Sequence, residues 1–291
     1  MTVILMDDWG TLVNNLWVLL FVFFFLVPQI QRSLLNTARH GLLQKFGKKR
    51  RSNVITLIHR QETISFLGIP LSRYIDIDDS EEVLRAIRLT PPDTPIDIIL
   101  HTPGGILLAA SQIALALSSH PAKKTVIVPH YAMSGGTLIA FAADEVVMDP
   151  YAVLGPVDPQ LMEGTSSYPA VSLLEVLEKK NIDRIDDQTI ILADEAKKAL
   201  SQNENFVRKI LAARYPEQTV NKIVDELVRG KYTHDIPITA DHALEMGMKV
   251  STQVPGEIYD LMHLYKMGTT TKRPGVEFVP SRWRPQGRQM T

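Results

Sequence analysis

The chain has 291 residues, with 31 Lys and Arg against 32 Asp and Glu, 45% hydrophobic residues and no cysteine. The charge balance gives no sign of a nucleic-acid or polyanion binder. Without Cys there is no disulfide framework, thiolate metal site, iron–sulfur cluster or cysteine nucleophile, so covalent chemistry falls to Ser, Thr or Lys.

In chain order, the first feature is an uncharged run from Trp9 to Gln31 around the core LWVLLFVFFFLV. At about 1.5 Å per residue it spans roughly 34 Å, enough for a hydrocarbon core of about 30 Å, so residues 9–31 are expected to cross the membrane as one helix in contact with lipid. A cleaved signal peptide would need a basic start and a small-residue cleavage site, but Asp7 and Asp8 stand where the basic residues should be, and Leu26-Val-Pro-Gln29 has no A-x-A character. The basic residues Arg32, Arg39, Lys45, Lys48, Lys49, Arg50 and Arg51 all follow the run. The positive-inside rule therefore predicts an outside N-terminus and a cytoplasmic bulk, with residues 32–51 as a basic juxtamembrane segment drawn to anionic lipid. Residues 1–51 carry a net +5 and the remaining 240 a net −6, so the overall −1 is a cancellation.

Residues 52–267 read as one domain in which strands alternate with helices. Strands are expected at 53–59, 96–101, 125–129 and 145–148, and helices after Asp79-Ser80, from Ile106 to Ser119 and from Gly135 to Ala143. That alternation implies a largely parallel sheet in an α/β fold. Residues 170–180, 187–202, 204–214 and 217–229 all carry helical spacing. Residues 268–291, rich in Thr, Pro, Arg and Gln and including Arg282, Arg284 and Arg288, read as a disordered basic tail.

Two glycine pairs stand at the carboxyl ends of expected strands, where open parallel sheets bind ligands: His101-Thr-Pro-Gly-Gly105 and Ala132-Met-Ser-Gly-Gly136. A glycine pair opening a helix offers uncovered backbone N–H groups that suit an oxyanion or a phosphate, and Ser134 sits at the second turn, as a nucleophile or as a plain helix cap. Neither pair is followed by Lys-Ser or Lys-Thr, which excludes a P-loop, and no His-Glu-x-x-His metal helix is present. No metal or cofactor is therefore expected.

The segments Leu100-His-Thr-Pro-Gly-Gly105, Tyr131-Ala-Met-Ser-Gly-Gly-Thr137, Ala142-Ala-Asp-Glu-Val-Val-Met148 and Leu154-Gly-Pro-Val-Asp-Pro-Gln160 resemble the serine dehydrogenase proteinase family, membrane-anchored relatives of the ClpP and SppA peptidases. Thr239-Ala-Asp-His-Ala-Leu-Glu-Met-Gly247 is similar to the short helix near the end of that fold. The resemblance implies a ClpP/crotonase-like fold of repeated ββα units after one transmembrane helix, and serine peptidase activity without metal or nucleotide. Ser134 would be the nucleophile, with the N–H groups of Gly105 and Gly135 as the oxyanion hole. Peptides or membrane proteins would be the substrates, and self-assembly into a homo-oligomer is expected.

The base departs from the ClpP pattern, because Asp158 stands in the stretch where those peptidases carry a histidine. SppA peptidases use a lysine, and Lys198 is the expected base because the resemblance includes its helix. Lys198 also stands four residues from Asp194, the spacing of a surface ion pair. Lys179, Lys180 and Lys197 remain alternatives, as do His101, His130 and His234, the last with Asp235 as its orienting carboxylate. Two other readings are a crotonase-like acyl-CoA enzyme, which would make Ser134 a spectator, and a membrane-tethered scaffold that has lost its base.

Overall fold

The computed structural model describes residues 16–18, 20–59, 74–164 and 166–265. The start of the expected membrane span, residues 9–15, and the expected tail, residues 268–291, lie outside the described residues. Leu16–Arg50 is one helix, long and apolar enough to cross a membrane, with Trp17, Phe21, Phe23, Phe24 and Phe25 exposed. A π-helical turn at Val22–Leu26 leads into helix α1, Val27–Arg50. The helix thus continues from the described part of the expected membrane segment into the basic segment as far as Arg50.

Arg51 ends α1 in the left-handed region at φ 54°, and the N–H groups of Arg51 and Ser52 both donate to the Gly47 carbonyl. Such a left-handed turn reverses the chain, and β1 (Asn53–Ile58) follows at once. Then come α2 (Ile77–Leu89), β2 (Ile96–His101), α3 (Leu107–Ser119), β3 (Lys124–Val128), β4 (Tyr131–Ala132), α4 (Gly135–Phe141), β5 (Glu145–Met148) and β6 (Val153–Leu154). The hairpin β7 (Gln160–Glu163) and β8 (Ser166–Pro169) precedes α5 (Ala170–Lys179), α6 (Asp187–Ala212) and α7 (Glu217–Leu227). The described chain closes with β9 (Ile238–Thr239), α8 (Ala240–Glu245), β10 (Val250–Ser251) and α9 (Gly256–Leu264).

The main sheet has the order β1-β2-β3-β5-β10 with every pair parallel, as continuous apolar strands with helical crossovers require. A small sheet, β4-β6-β9, stands at its carboxyl edge. In β3, β4 and α4 one strand joins each sheet before the helix, so the ββα unit is visible in the chain. The larger core packs α2, α3, α4, α6 and α7 on one face of the main sheet. The opposite face is covered by α1 and α9 through Phe46, Ile258, Leu261 and Met262 on Ile99, Ile127 and Val147.

Contacts along α1 fix its direction. Arg50 grips Asp97 near the start of β2 with two bonds of 2.6 and 3.0 Å, and the Ser52 hydroxyl donates to the same carboxylate. Phe46 joins the cluster of Ile99 and Ile127, one step further along the strands. Arg39 donates to the Leu264 carbonyl and lies 4.1 Å over the ring of Tyr265, whose hydroxyl is 3.5 Å from Thr56 Oγ1. α1 therefore runs antiparallel to the strands, with its N-terminal end toward their carboxyl edge.

Two local expectations are corrected, and one set of elements was unforeseen. The cap of α2 is Asp76, in a reciprocal capping box with Asp79, because Asp76 is extended and its carboxylate reaches the Asp79 N–H; Asp79-Ser80 lies inside the helix. The separate helices expected at 187–202 and 204–214 are one, since Asn203 stays helical and buries its amide against Val157. The short strands β4, β6 and β9 and the hairpin carried no periodic signal, two to four residues being too few to show one.

Asp97 is almost wholly buried, so its partner matters more than a surface cation would. Arg50→Ala is expected to lower unfolding stability by about 2–5 kcal/mol, the loss typical when one partner of a buried charge pair is removed. Lys49→Ala, which loses only an exposed pair with Glu257, should cost about 1 kcal/mol or less. Denaturant midpoints of the detergent-solubilised full chain compare the two.

Candidate active site

The two glycine turns meet at the carboxyl edge. Thr102 and Ala132 form a parallel bridge, with the Thr102 N–H donating to the Tyr131 carbonyl and the Met133 N–H to the Thr102 carbonyl. Gly104 has φ 105°, a conformation L side chains avoid, and a Cβ there would stand 2.8 Å from the Ser134 Cβ. A Cβ on Gly105 would stand 2.3 Å from the Ile75 carbonyl oxygen. Around that contact the Ile75 N–H donates to Gly104 and the Ile106 N–H to Ile75, which leaves the Gly105 N–H outside the ladder. Its nitrogen lies 3.6 Å from the place a Gly135 Cβ would take, so the two turns lie against each other.

Ser134 has φ 49° and ψ −114°, a sparsely populated conformation for a residue with a side chain. It precedes α4, yet its hydroxyl makes no capping hydrogen bond. The plain-cap reading therefore fails, and a strained strand-to-helix turn that exposes its hydroxyl is the geometry of a nucleophile elbow.

Ser134, Gly105 and Gly135 line a cavity of about 730 Å³ together with Asp158, Gln160, Asn203 and His234 and the apolar side chains of Ile106, Leu107, Leu161 and Met162. The segment carrying Asp158 is tied down on two sides: the Val157 N–H donates to the Leu227 carbonyl and the Asn203 amide donates to the Val157 carbonyl at 2.5 Å. Asp158 is nearly fully buried and lies 2.7 Å from His234 Nδ1, with its second oxygen accepting from Gln160 at 2.6 Å. A carboxylate at Nδ1 selects the tautomer with the proton there, which leaves Nε2 as an acceptor. His234 sits between α7 and β9, in a loop held by Glu226, which accepts from Lys231 and Tyr232.

Lys198 is absent from the cavity lining, whereas its neighbour Ala199 contributes. Its ammonium is 54% exposed and pairs with Asp194 at 2.6 Å and Glu195 at 3.1 Å. Hydrogen bonds to Asp194 and then Glu195 push its pKa up, the opposite of what a lysine base requires. That placement has a plain cause: α6 turns its buried face, Ala193 and Ala196, inward, and Lys198 projects from the other side. Lys179, Lys180 and Lys197 are likewise absent from the lining. His130 packs its ring against His101 and Tyr131, away from the lining set. The carboxylate expected to orient His234 was Asp235, but the structure supplies Asp158, from 76 residues away.

A second polar chain, unforeseen from sequence, supports the first turn. His59, 5% exposed, bridges Asp79 at 3.1 Å and Thr102 Oγ1 at 3.0 Å, and that hydroxyl accepts from the Gly104 N–H at 3.2 Å. Among the described residues, no group of three or more His, Cys, Asp or Glu is placed to hold a metal ion.

The description ClpP-like SDH-type serine proteinase matches residues 3–291, nearly the whole chain. The chain belongs to that family. Two relatives from Methanocaldococcus jannaschii, the uncharacterized proteins MJ0137 and MJ1495, are 53% and 46% identical over 93% and 95% of this chain, and over 93% and 92% of their own lengths. The probable protease SohB of Haemophilus influenzae is 35% identical over 81 residues, 26% of this chain and 23% of its own. A solved structure of 1510-N, a membrane-bound stomatin-specific protease, has a TM-score of 0.47 at 17% identity, covering 72% of this chain and 82% of that one. Membership of the SDH-type serine proteinases supports a serine peptidase with a ClpP-like fold and does not favour the acyl-CoA alternative.

The strain at Ser134 yields a prediction that separates fold from chemistry. Ser134→Gly relieves the φ 49° conformation, while Ser134→Ala keeps it; the glycine variant is expected to be the more stable by about 1 kcal/mol or more. Thermal midpoints of the two variants, compared side by side, check it.

Proposed function

We propose that this SDH-type proteinase is a membrane-anchored serine peptidase in which Ser134 is the nucleophile and His234, oriented by Asp158, is the base. One observation carries the reading: a strained, uncapped serine shares a cavity with two glycine N–H donors and a carboxylate-bound imidazole. Ser134 Oγ attacks the scissile carbonyl carbon as its proton passes to His234 Nε2. The carbonyl oxygen takes up the negative charge between the Gly105 and Gly135 N–H groups. His234 then returns the proton to the leaving amine, and a water activated by the same imidazole releases the acyl group from Ser134.

The apolar helix Leu16–Arg50 supports anchoring, and the basic residues after it support an outside N-terminus with a cytoplasmic domain. An anchor on the enzyme raises the effective concentration of membrane-bound polypeptides, which makes them the substrate class. Self-assembly belongs to the same reading, with the exposed Ile182 and Ile191 available for contact; the mass of the detergent-solubilised particle tests it.

Fluorophosphonate labelling and hydrolysis of a peptide library are expected for the intact chain and absent in Ser134→Ala. His234→Ala and Asp158→Asn should each lower kcat/KM by about 10²–10⁴, as loss of a general base or its orienting partner does. Lys198→Ala, which removes an exposed ion pair, should change it by less than about threefold. Loss in Lys198→Ala with full activity in His234→Ala would overturn the base assignment, and a folded chain that takes no label would sink the active serine.

A further inference from the structure

We infer that the catalytic edge of the domain faces the bilayer, so that this proteinase cuts polypeptide segments just where they leave the membrane. The inference rests on the anchored-peptidase reading above and adds to it the place and direction of the cut.

Three features carry it. α1 crosses the sheet antiparallel to the strands: its C-terminal Arg50 holds Asp97 near the start of β2, while Arg39, eleven residues nearer the membrane, docks on Leu264 and Tyr265 beside Thr56. The membrane end of the helix and the carboxyl ends of the strands therefore point the same way, and Gly105, Ser134 and the cavity lie at those carboxyl ends.

The connection is also short and stiff. Seven residues of continuous helix separate Arg39 from Arg32, the first charge after the apolar run, which is about 10 Å. β1 continues two residues beyond Thr56, about 7 Å in the same direction. Most of the stalk is thus spanned by the sheet itself, leaving the cavity mouth roughly 10 Å or less from the headgroups.

The rim has matching chemistry. Tyr74, Ile106, Leu107 and Met162 line the cavity and, with Leu108, are between 45% and 68% exposed. Large apolar side chains gathered at one mouth mark an interaction surface rather than ordinary solvent-facing residues. Facing the bilayer, they would receive an extended segment that is still partly apolar as it emerges. At about 3.3 Å per extended residue, the bond reaching Ser134 lies within about ten residues of the membrane.

The absence of cysteine makes the orientation directly measurable. Leu108→Cys reports the catalytic edge, and Asp93→Cys, exposed in the turn before β2, reports the opposite one. Each is labelled with a small fluorophore in the full chain carrying Ser134→Ala, reconstituted in phosphatidylcholine vesicles with spin-labelled headgroups. Because the strand ends lie roughly 20 Å apart, quenching at position 108 should be at least about twice that at position 93; equal or reversed quenching overturns the orientation. A chain that does not float with the vesicles would fail the anchored reading itself, and the inference would fall with it.

A second arm uses the active chain and a single-span substrate carrying one reporter peptide either about five or about thirty residues from the bilayer. Cleavage at least about tenfold faster at the near position is expected, and equal rates overturn the substrate class. Loss of Ser134-dependent cleavage even of the free peptide in detergent would reject the peptidase reading, separately from the orientation.

Discussion

The close approach of two backbone turns governs the rest of this molecule. A Cβ at Gly104 would lie 2.8 Å from the Ser134 Cβ and one at Gly105 would lie 2.3 Å from the Ile75 carbonyl oxygen, so the turn after β2 fits against the turn after β4 and the approach to α2 only because it carries two glycines. The contact does three things together. It brings Ile75, at the entrance to α2, onto the end of β2 through two backbone bonds of 2.8 Å. It sets the Gly105 nitrogen beside Gly135, where two N–H groups can converge on one oxygen. It also confines Ser134 to a conformation at φ 49° that exposes its hydroxyl.

Strain at that serine is held by the layers around it. α4 is buried along its whole length, and Thr137 links the carbonyl of Ala132 to the N–H of Gly155, joining β4 to the turn after β6. Beneath the other turn, His59 and Asp79 hold Thr102 against Gly104. His59, Thr102 and Thr137 are buried polar groups with their partners in place, the condition under which a low-dielectric interior fixes one geometry. On the far face of the sheet, the Arg50–Asp97 pair locks α1 to the first strands, so the helix is a structural layer of the domain as well as the continuation of its apolar N-terminal segment.

How much of the site was legible follows from how local each constraint is. Gly104, Gly105, Ser134 and Gly135 stand out because a tight turn leaves a short, contiguous mark, and that mark also carried the family resemblance. The imidazole and carboxylate that share the cavity did not. Lys198 looked suitable by chain position, but burial depends on what covers a helix face, and there Asp194 and Glu195 hold the ammonium in solvent. Asp158 and His234 are distant in sequence and meet only because Val157 is bonded to the end of α7 and to Asn203.

The sequence by itself determined the apolar run and its basic flank, the alternation that makes a parallel sheet, the two glycine turns and the serine between them. Each depends on residues within a turn or two of one another, or on a composition that length alone interprets. Tertiary structure decided which imidazole and carboxylate share the serine's cavity, that the Ser134 hydroxyl makes no capping bond, and that α1 runs antiparallel to the strands with its N-terminal end toward their carboxyl edge. Those outcomes depend on contacts between segments tens to hundreds of residues apart, and such contacts impose no period and no spacing on the chain.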